Sequence, residues 1–355
     1  MTLPLTSPAD PLALPEEVRA PQDGECDRDA AYRKLVEHLS RQSVAKHYDA
    51  YLDVPWDDPA FAIDPTDPRC ELLPSDPLGA TAWYRALPQA TRARFGLELI
   101  ASFARIGLQF ENVLQRGLLE FTFRLPNRAP EYRSVMHEVI EEGQHSLLFQ
   151  EFVNRTGLDV PGLDRWMQIG SRQVVRLARS FTELFFLFVL GGEDPIDPLQ
   201  REGLRTEQYD YPLIRRISQV HITEEACHLS FARAYLRRHV PQLSGFSRAL
   251  LRVRTPLLLG QMAKLTMQPT PTMVRRYAIP AAVLREAYTS PAAAAQRVAA
   301  LRKPRELCVE LGIAVPPFDR RWRRMGIWAP PAWAGAGGST SVPLSEPAGG
   351  VAAPG

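Results

Sequence analysis

Residues His221 to His228 read H-I-T-E-E-A-C-H, and they restrict the fold more than any other stretch. His221, Glu225 and His228 stand at i, i+4 and i+7, which on a helix of about 3.6 residues per turn places them within an arc of roughly 60°. The flanking apolar residues Ile214, Ile217, Val220, Leu229, Phe231, Ala232, Tyr235 and Leu236 recur at helical spacing. The face carrying two imidazoles and a carboxylate is therefore directed at the interior. Charge taken out of water needs a partner, and a divalent or trivalent cation is the strongest one.

A lone Glu-x-x-His arises often by chance on solvated helices and means little. This chain holds a second copy, M-H-E-V-I-E-E-G-Q-H, in which Glu142 and His145 stand three apart and Glu138 takes the place His221 has in the other. Two such helices resemble ferritin-like di-iron bundles, where one Glu from each of two further helices completes the cage. If each lone Glu sits on the helix just before its Glu-x-x-His and the two are antiparallel, the turn lies midway between the residues that meet. For Glu142 the candidates are Glu111 and Glu120; Glu111 puts the turn at Pro126 and Asn127, within R-L-P-N-R-A-P, and is preferred. For Glu225 the candidates are Glu183, Glu193 and Glu202, and Glu193 puts the turn at Tyr209, within Q-Y-D-Y-P. The surrounding G-G-E-D-P implies a kinked or π-bulged helix there.

The blocks F-E-N-V-L-Q-R-G-L-L, H-E-V-I-E-E-G-Q-H, F-Q-E-F-V-N-R-T-G, G-G-E-D-P-I-D and H-I-T-E-E-A-C-H resemble the p-aminobenzoate N-oxygenase (AurF-type) family of non-haem di-iron oxygenases, over roughly residues 40–245. The third histidine, His221, sets that family apart from most of the ferritin-like superfamily. The resemblance implies a cage of Glu111, Glu142, His145, Glu193, His221, Glu225 and His228 around two iron ions. It also implies O2 as co-substrate, an external electron donor, and oxidation of an aryl amine toward a hydroxylamine or nitro group. Cys227 departs from the basic or small residue expected at its position, but it faces away from the ligand arc.

Read in order, residues 1–27 are expected to be disordered and 28–330 to form a single all-α domain. Its first helix covers D-A-A-Y-R-K-L-V-E-H-L-S-R. Six prolines from Pro55 to Pro77 exclude long elements, so that segment should wrap the bundle. Four long helices follow: Thr91 to about Phe123; Pro130 to Thr156, closed by Gly157; about Leu163 through a kink at Glu193 to Thr206; and about Tyr211 to His239. Two or three accessory helices either cover the core or form a subunit contact, which leaves a homodimer open. The tail 334–355 has too few apolar residues to fold.

The net charge of +2 gives no reason to expect nucleic acid, and R-R-W-R-R at Arg320 to Arg324 reads as solvated surface. Four cysteines without paired spacing, Cys26, Cys70, Cys227 and Cys308, speak against a disulfide framework. The opening residues lack a secretory pattern, so a cytoplasmic location is expected. The most apolar window, Phe181 to Leu190, is about half a bilayer span and reads as a buried core helix rather than a membrane segment. A carboxylate-rich site with imidazoles suits iron, although manganese shares the ligand set. The expected partners are a small-molecule substrate and an electron-donor protein. A di-iron hydroxylase, desaturase or oxidase for another small organic substrate is the rival reading.

Overall fold

The computed structural model describes residues 27–205 and 211–330, and among these it is all helix and connecting turns, without a strand. Of the stretches expected to be disordered, residues 1–26 and 334–355 lie outside the described residues, as do the turn expected at Tyr209 and the Glu202 side chain, while Asp27 opens the first helix. After α1 (Asp27–Ala45), the Pro-rich segment forms only single turns at Pro59–Phe61, Pro68–Cys70 and α2 (Ala82–Arg85). The bundle consists of α3 (Gln89–Thr122), α4 (Pro130–Thr156), α5 (Arg165–Ser180), α6 (Thr182–Glu193), α7 (Ile196–Arg205) and α8 (Pro212–His239).

The expected boundaries of α3, α4 and α8 match closely, because their signals are local. Pro130 opens α4, where a missing N–H costs nothing. Gly157 closes it in the left-handed region at φ 62°, a conformation that disfavours a Cβ. The third helix is a correction: the expected single kinked rod is three helices. It first breaks at Phe181, which has φ −156° and ψ 72°. There α5, whose sole buried residue is Ala178, gives way to α6, in which every residue from Leu184 to Glu193 is buried. An amphipathic helix lying on α3 and an apolar rod entering the core cannot share one axis.

The break expected at Glu193 is present, but it does not fall at Gly191 and Gly192. Helix α6 runs through both and ends at Glu193, and α7 starts at Ile196, after Pro195. The glycines allow close packing instead: a Cβ on Gly192 would lie 2.0 Å from the Phe110 ring, and one on Gly191 2.7 Å from Leu259. The C-terminal region is richer than expected, with α9 (Gly245–Met267), α10 (Pro271–Arg276), α11 (Ala281–Thr289), α12 (Pro291–Ala300), α13 (Arg302–Glu310) and α14 (Asp319–Arg324). Helix α9 packs against α6, so this region does cover the core.

Two apolar belts bracket a polar band. One gathers Leu97 and Ala101 of α3, Leu148 to Val153 of α4 and Leu213 to Val220 of α8 with the Pro-rich wrap. The other gathers Phe110 to Phe121 of α3, Val135 of α4, α6, and Leu229 to Leu236 of α8. Between the belts α4 presents Glu138 to His145, and α8 presents His221 to His228.

Candidate metal centre

All seven residues singled out from the sequence lie in this band, and each is buried: Glu111, Glu142, His145, Glu193, His221, Glu225 and His228. Glu142 and Glu225 stand at the centre. Nδ1 of His145 is 3.0 Å from Glu142 Oε2 and 3.5 Å from Glu225 Oε1. Nδ1 of His228 is 3.3 Å from Glu142 Oε1 and 3.2 Å from Glu225 Oε1. His221 approaches from the side through Nε2, 3.8 Å from Glu111, 3.6 Å from Glu193 and 3.9 Å from Glu225. Three nitrogen donors and four carboxylates thus converge.

Three glutamates beyond the expected set belong to the same band. Glu224 accepts from Nε2 of His145 at 2.9 Å and from the backbone N–H of Tyr48 at 2.8 Å, so one carboxylate ties the wrap to an imidazole. Glu141 accepts from Nε2 of His228 at 2.6 Å. The bonds cross over: the glutamate next to Glu225 on α8 orients the histidine of α4, and the one next to Glu142 on α4 orients that of α8. Each fixes the proton on Nε2 and leaves Nδ1 facing inward. The signal was present in the sequence, since both copies read Glu-Glu-x-x-His, E-E-G-Q-H and E-E-A-C-H. Glu138, noted only as the counterpart of His221, is buried and groups with Glu142 and His228, their ligand atoms within 4.8 Å of one another.

Electrostatics set these carboxylates apart from ordinary ones. Burial, and then the neighbouring carboxylates, push Glu111 and Glu193 well above the usual range. Burial likewise raises Glu225 and takes Glu138 to about 8. Burial opposes ionisation of Glu142 too, but hydrogen bonds from His145 and His228 outweigh it and hold the group low. Burial would lower His145, yet Glu142 and Glu224 hold it up at about 10. His221 has no such carboxylate bond, and burial, with the charge on His145, drops it to about 3.

Among the described residues, Glu111 Oε2, Glu193 Oε2 and Glu225 Oε2 are buried without a hydrogen-bond donor. Acceptors in that state cost free energy unless a cation takes them up. The donor set, four carboxylates and three imidazoles, fits two hard or borderline divalent ions of the iron or manganese type.

A cavity of about 330 Å³ opens onto this centre from the His221 side, where Glu111, Glu193 and His221 form part of its wall. The rest is largely apolar: Phe103 and Phe110 of α3, Phe149 and Phe152 of α4, Ile217 of α8 and Met262 of α9, with Cys70 and Leu72 of the wrap closing one side. The elbow that carries Glu193 into it is held by ion pairs from Asp194 to Arg233 and, at 3.3 Å, from Asp197 to Lys303. Cys227 reaches Gln42 at 3.8 Å, away from the centre. The arginines of R-R-W-R-R are exposed, while Trp322 between them is buried. No helix among the described residues is long and apolar enough to cross a membrane.

The chain is similar to "Uncharacterized protein Rv0885" and "Uncharacterized protein MT0908" of Mycobacterium tuberculosis and "Uncharacterized protein Mb0909" of Mycobacterium bovis. Each is 42% identical over 216 residues, which is 61% of this chain and 64% of the relative. The chain thus spans a little under two-thirds of the length of these relatives. No solved structure matches it. Residues 29–312, most of the chain, match the family described as P-aminobenzoate N-oxygenase AurF. The chain belongs to that family.

Proposed function

We propose that this protein is a di-iron monooxygenase that oxidises the nitrogen of an aryl amine toward a hydroxylamine or nitro product. One observation carries the reading: the orphaned carboxylate oxygens and the inward-facing imidazole nitrogens converge at the end of an apolar cavity. Glu111, Glu142, His145, Glu193, Glu225 and His228 would hold two iron ions, and His221 would add a third nitrogen from the cavity side. When bound, such a pair supplies the electrons that activate O2, which an external donor then restores. Manganese fits the same donors.

The protein's own contribution is positioning and exclusion of water. Glu141 and Glu224 lock the imidazoles of His228 and His145 before any ligand arrives, so no reorganisation is needed on binding. The phenylalanine walls keep bulk water from the reacting atoms and favour the flat, apolar body of an aromatic substrate. At about 330 Å³ the space exceeds a single small ring, so the substrate class expected is an aryl amine bearing a further apolar portion. Nitrogen as the reacting atom rests on family membership.

Anaerobic loading with ferrous iron should give two ions per chain, and adding O2 with reduced donor and an aryl amine should give nitroso or nitro products. One zinc or none after iron loading would remove the di-iron reading. Hydroxylated carbon with intact amine would replace N-oxygenation by the hydroxylase alternative.

A further inference from the structure

Gln200 of α7 both lines the cavity and touches a histidine of the centre: its Oε1 lies 3.2 Å from Nδ1 of His221. The other ring nitrogen, Nε2, is the one turned to Glu111 and Glu193. A neutral imidazole has one N–H and one lone pair, so an Nε2 able to take a metal requires the proton on Nδ1. The partner of that proton must be an acceptor. This fixes the Gln200 amide as it stands, oxygen toward the ring and NH2 away from it. Among the described residues no acceptor takes that NH2, in a cavity wall that is otherwise largely apolar.

We propose that Gln200 has two roles: its carbonyl holds His221 in the Nδ1–H tautomer with Nε2 aimed at the carboxylates, and its NH2 donates to an oxygen already placed on the substrate nitrogen. The first role makes it a positioning residue. The second makes it a specificity determinant for the partly oxidised substrate, since an arylhydroxylamine or nitrosoarene presents an N–O oxygen that the parent amine lacks. A donor at the cage end of an apolar cavity retains that species for a further oxidation instead of releasing it. The second role rests on the N-oxygenation reading; the first does not.

The test uses Gln200→Glu, which keeps an acceptor for Nδ1–H but removes the NH2, and Gln200→Met, which removes both. Nitrogen-15 spectra of histidine-labelled, metal-free protein read the tautomer directly. The parent and Gln200→Glu should show His221 protonated on Nδ1, and Gln200→Met should show a tautomer mixture; an unchanged tautomer in Gln200→Met overturns the positioning role. Binding of phenylhydroxylamine and of aniline is then compared in zinc(II)-loaded protein, where nothing turns over. The parent should prefer the hydroxylamine by about tenfold, and both variants should lose that preference. A parent without preference, or a preference kept by both variants, overturns the donor role. Failure of the parent to hold two metal ions would instead remove the di-iron reading, with the tautomer result still standing.

Discussion

Helices α4 and α8 carry the same pattern and use it differently at one place. Glu138, Glu141, Glu142 and His145 on α4 correspond to His221, Glu224, Glu225 and His228 on α8. Three of the four places behave as twins: the central glutamates face each other's histidine, and the outer glutamates cross over to orient the imidazoles. At the remaining place the helices part. His221 forms cavity wall beside Gln200, while Glu138 is buried with Glu142 and His228 and its Oε1 finds no donor among the described residues. The two helices thus present near-equivalent sets of candidate ligands, and one residue difference between them marks which side opens onto the cavity.

Breaking the twinned part should have the largest effect. Glu225→Ala removes a carboxylate shared by both histidines, so metal analysis should find fewer than two ions per chain and oxygenation should be abolished. Thermal denaturation should show lost stability only in the iron-loaded form, because the folded state gains from the metal it binds. A Glu225→Ala protein that turned over would end the cage reading.

Acidity sharpens the comparison of the twins. Glu142 is held low by its two histidines, whereas Glu225, Glu111 and Glu193 are held high by burial and like charge, and His145 is held up at about 10. His145, held up at about 10, keeps both ring protons near neutral pH in the metal-free protein, and a metal must displace one of them. Affinity for zinc(II) should therefore rise with pH, by at least about tenfold per unit between about pH 6 and 8, with proton release on loading. Calorimetry in buffers of differing ionisation enthalpy measures this; a pH-independent affinity would mean that these ligands are already deprotonated.

Glu141→Gln and Glu224→Gln test the crossed orientation. Each should lower metal affinity by about 10 to 100-fold, and by similar amounts if the arms are equivalent. An effect confined to one would show that the two histidines do not rely equally on their partners. His221→Ala should leave both ions bound, since six ligands remain, yet alter the optical spectrum of the iron protein; a spectrum matching the parent would make His221 a core histidine and count against N-oxygenation. The smallest change belongs to its counterpart. Glu138, with a value raised to about 8, is largely protonated at pH 7, so Glu138→Gln should shift metal-free stability by less than about 1 kcal/mol and leave aryl-amine affinity unaltered. A weakened substrate affinity there would show that the two sides are coupled.

Five of the seven residues read from the sequence, Glu142, His145, His221, Glu225 and His228, are specified locally by spacing on one helix face, while Glu111 and Glu193 followed from placing the turn midway to the glutamate each meets. The break at Phe181 was also written in the composition, since Arg165, Arg172, Arg176 and Arg179 fill α5 and no basic residue occurs in α6. Continuous helical periodicity hid it, because periodicity records that a segment is helical and not which layer it enters. The doubled glutamates of E-E-x-x-H were equally visible, but their role was not. Adjacent residues point about 100° apart on a helix, so Glu141 and Glu224 leave the face of their own histidine and meet one only across the bundle.

What the sequence determined by itself is therefore the all-helical architecture, the helix ends and the chemical type of the centre, consequences of spacing within a helix and of turn position between neighbouring helices. Only the tertiary structure decided which nitrogen of each histidine faces inward, that His221 borders the cavity while Glu138 does not, and that Gln200 stands behind His221. Those depend on contacts between residues far apart in the chain, such as 79 positions for His145 and Glu224 and 87 for His228 and Glu141. No local pattern encodes the packing that brings them together.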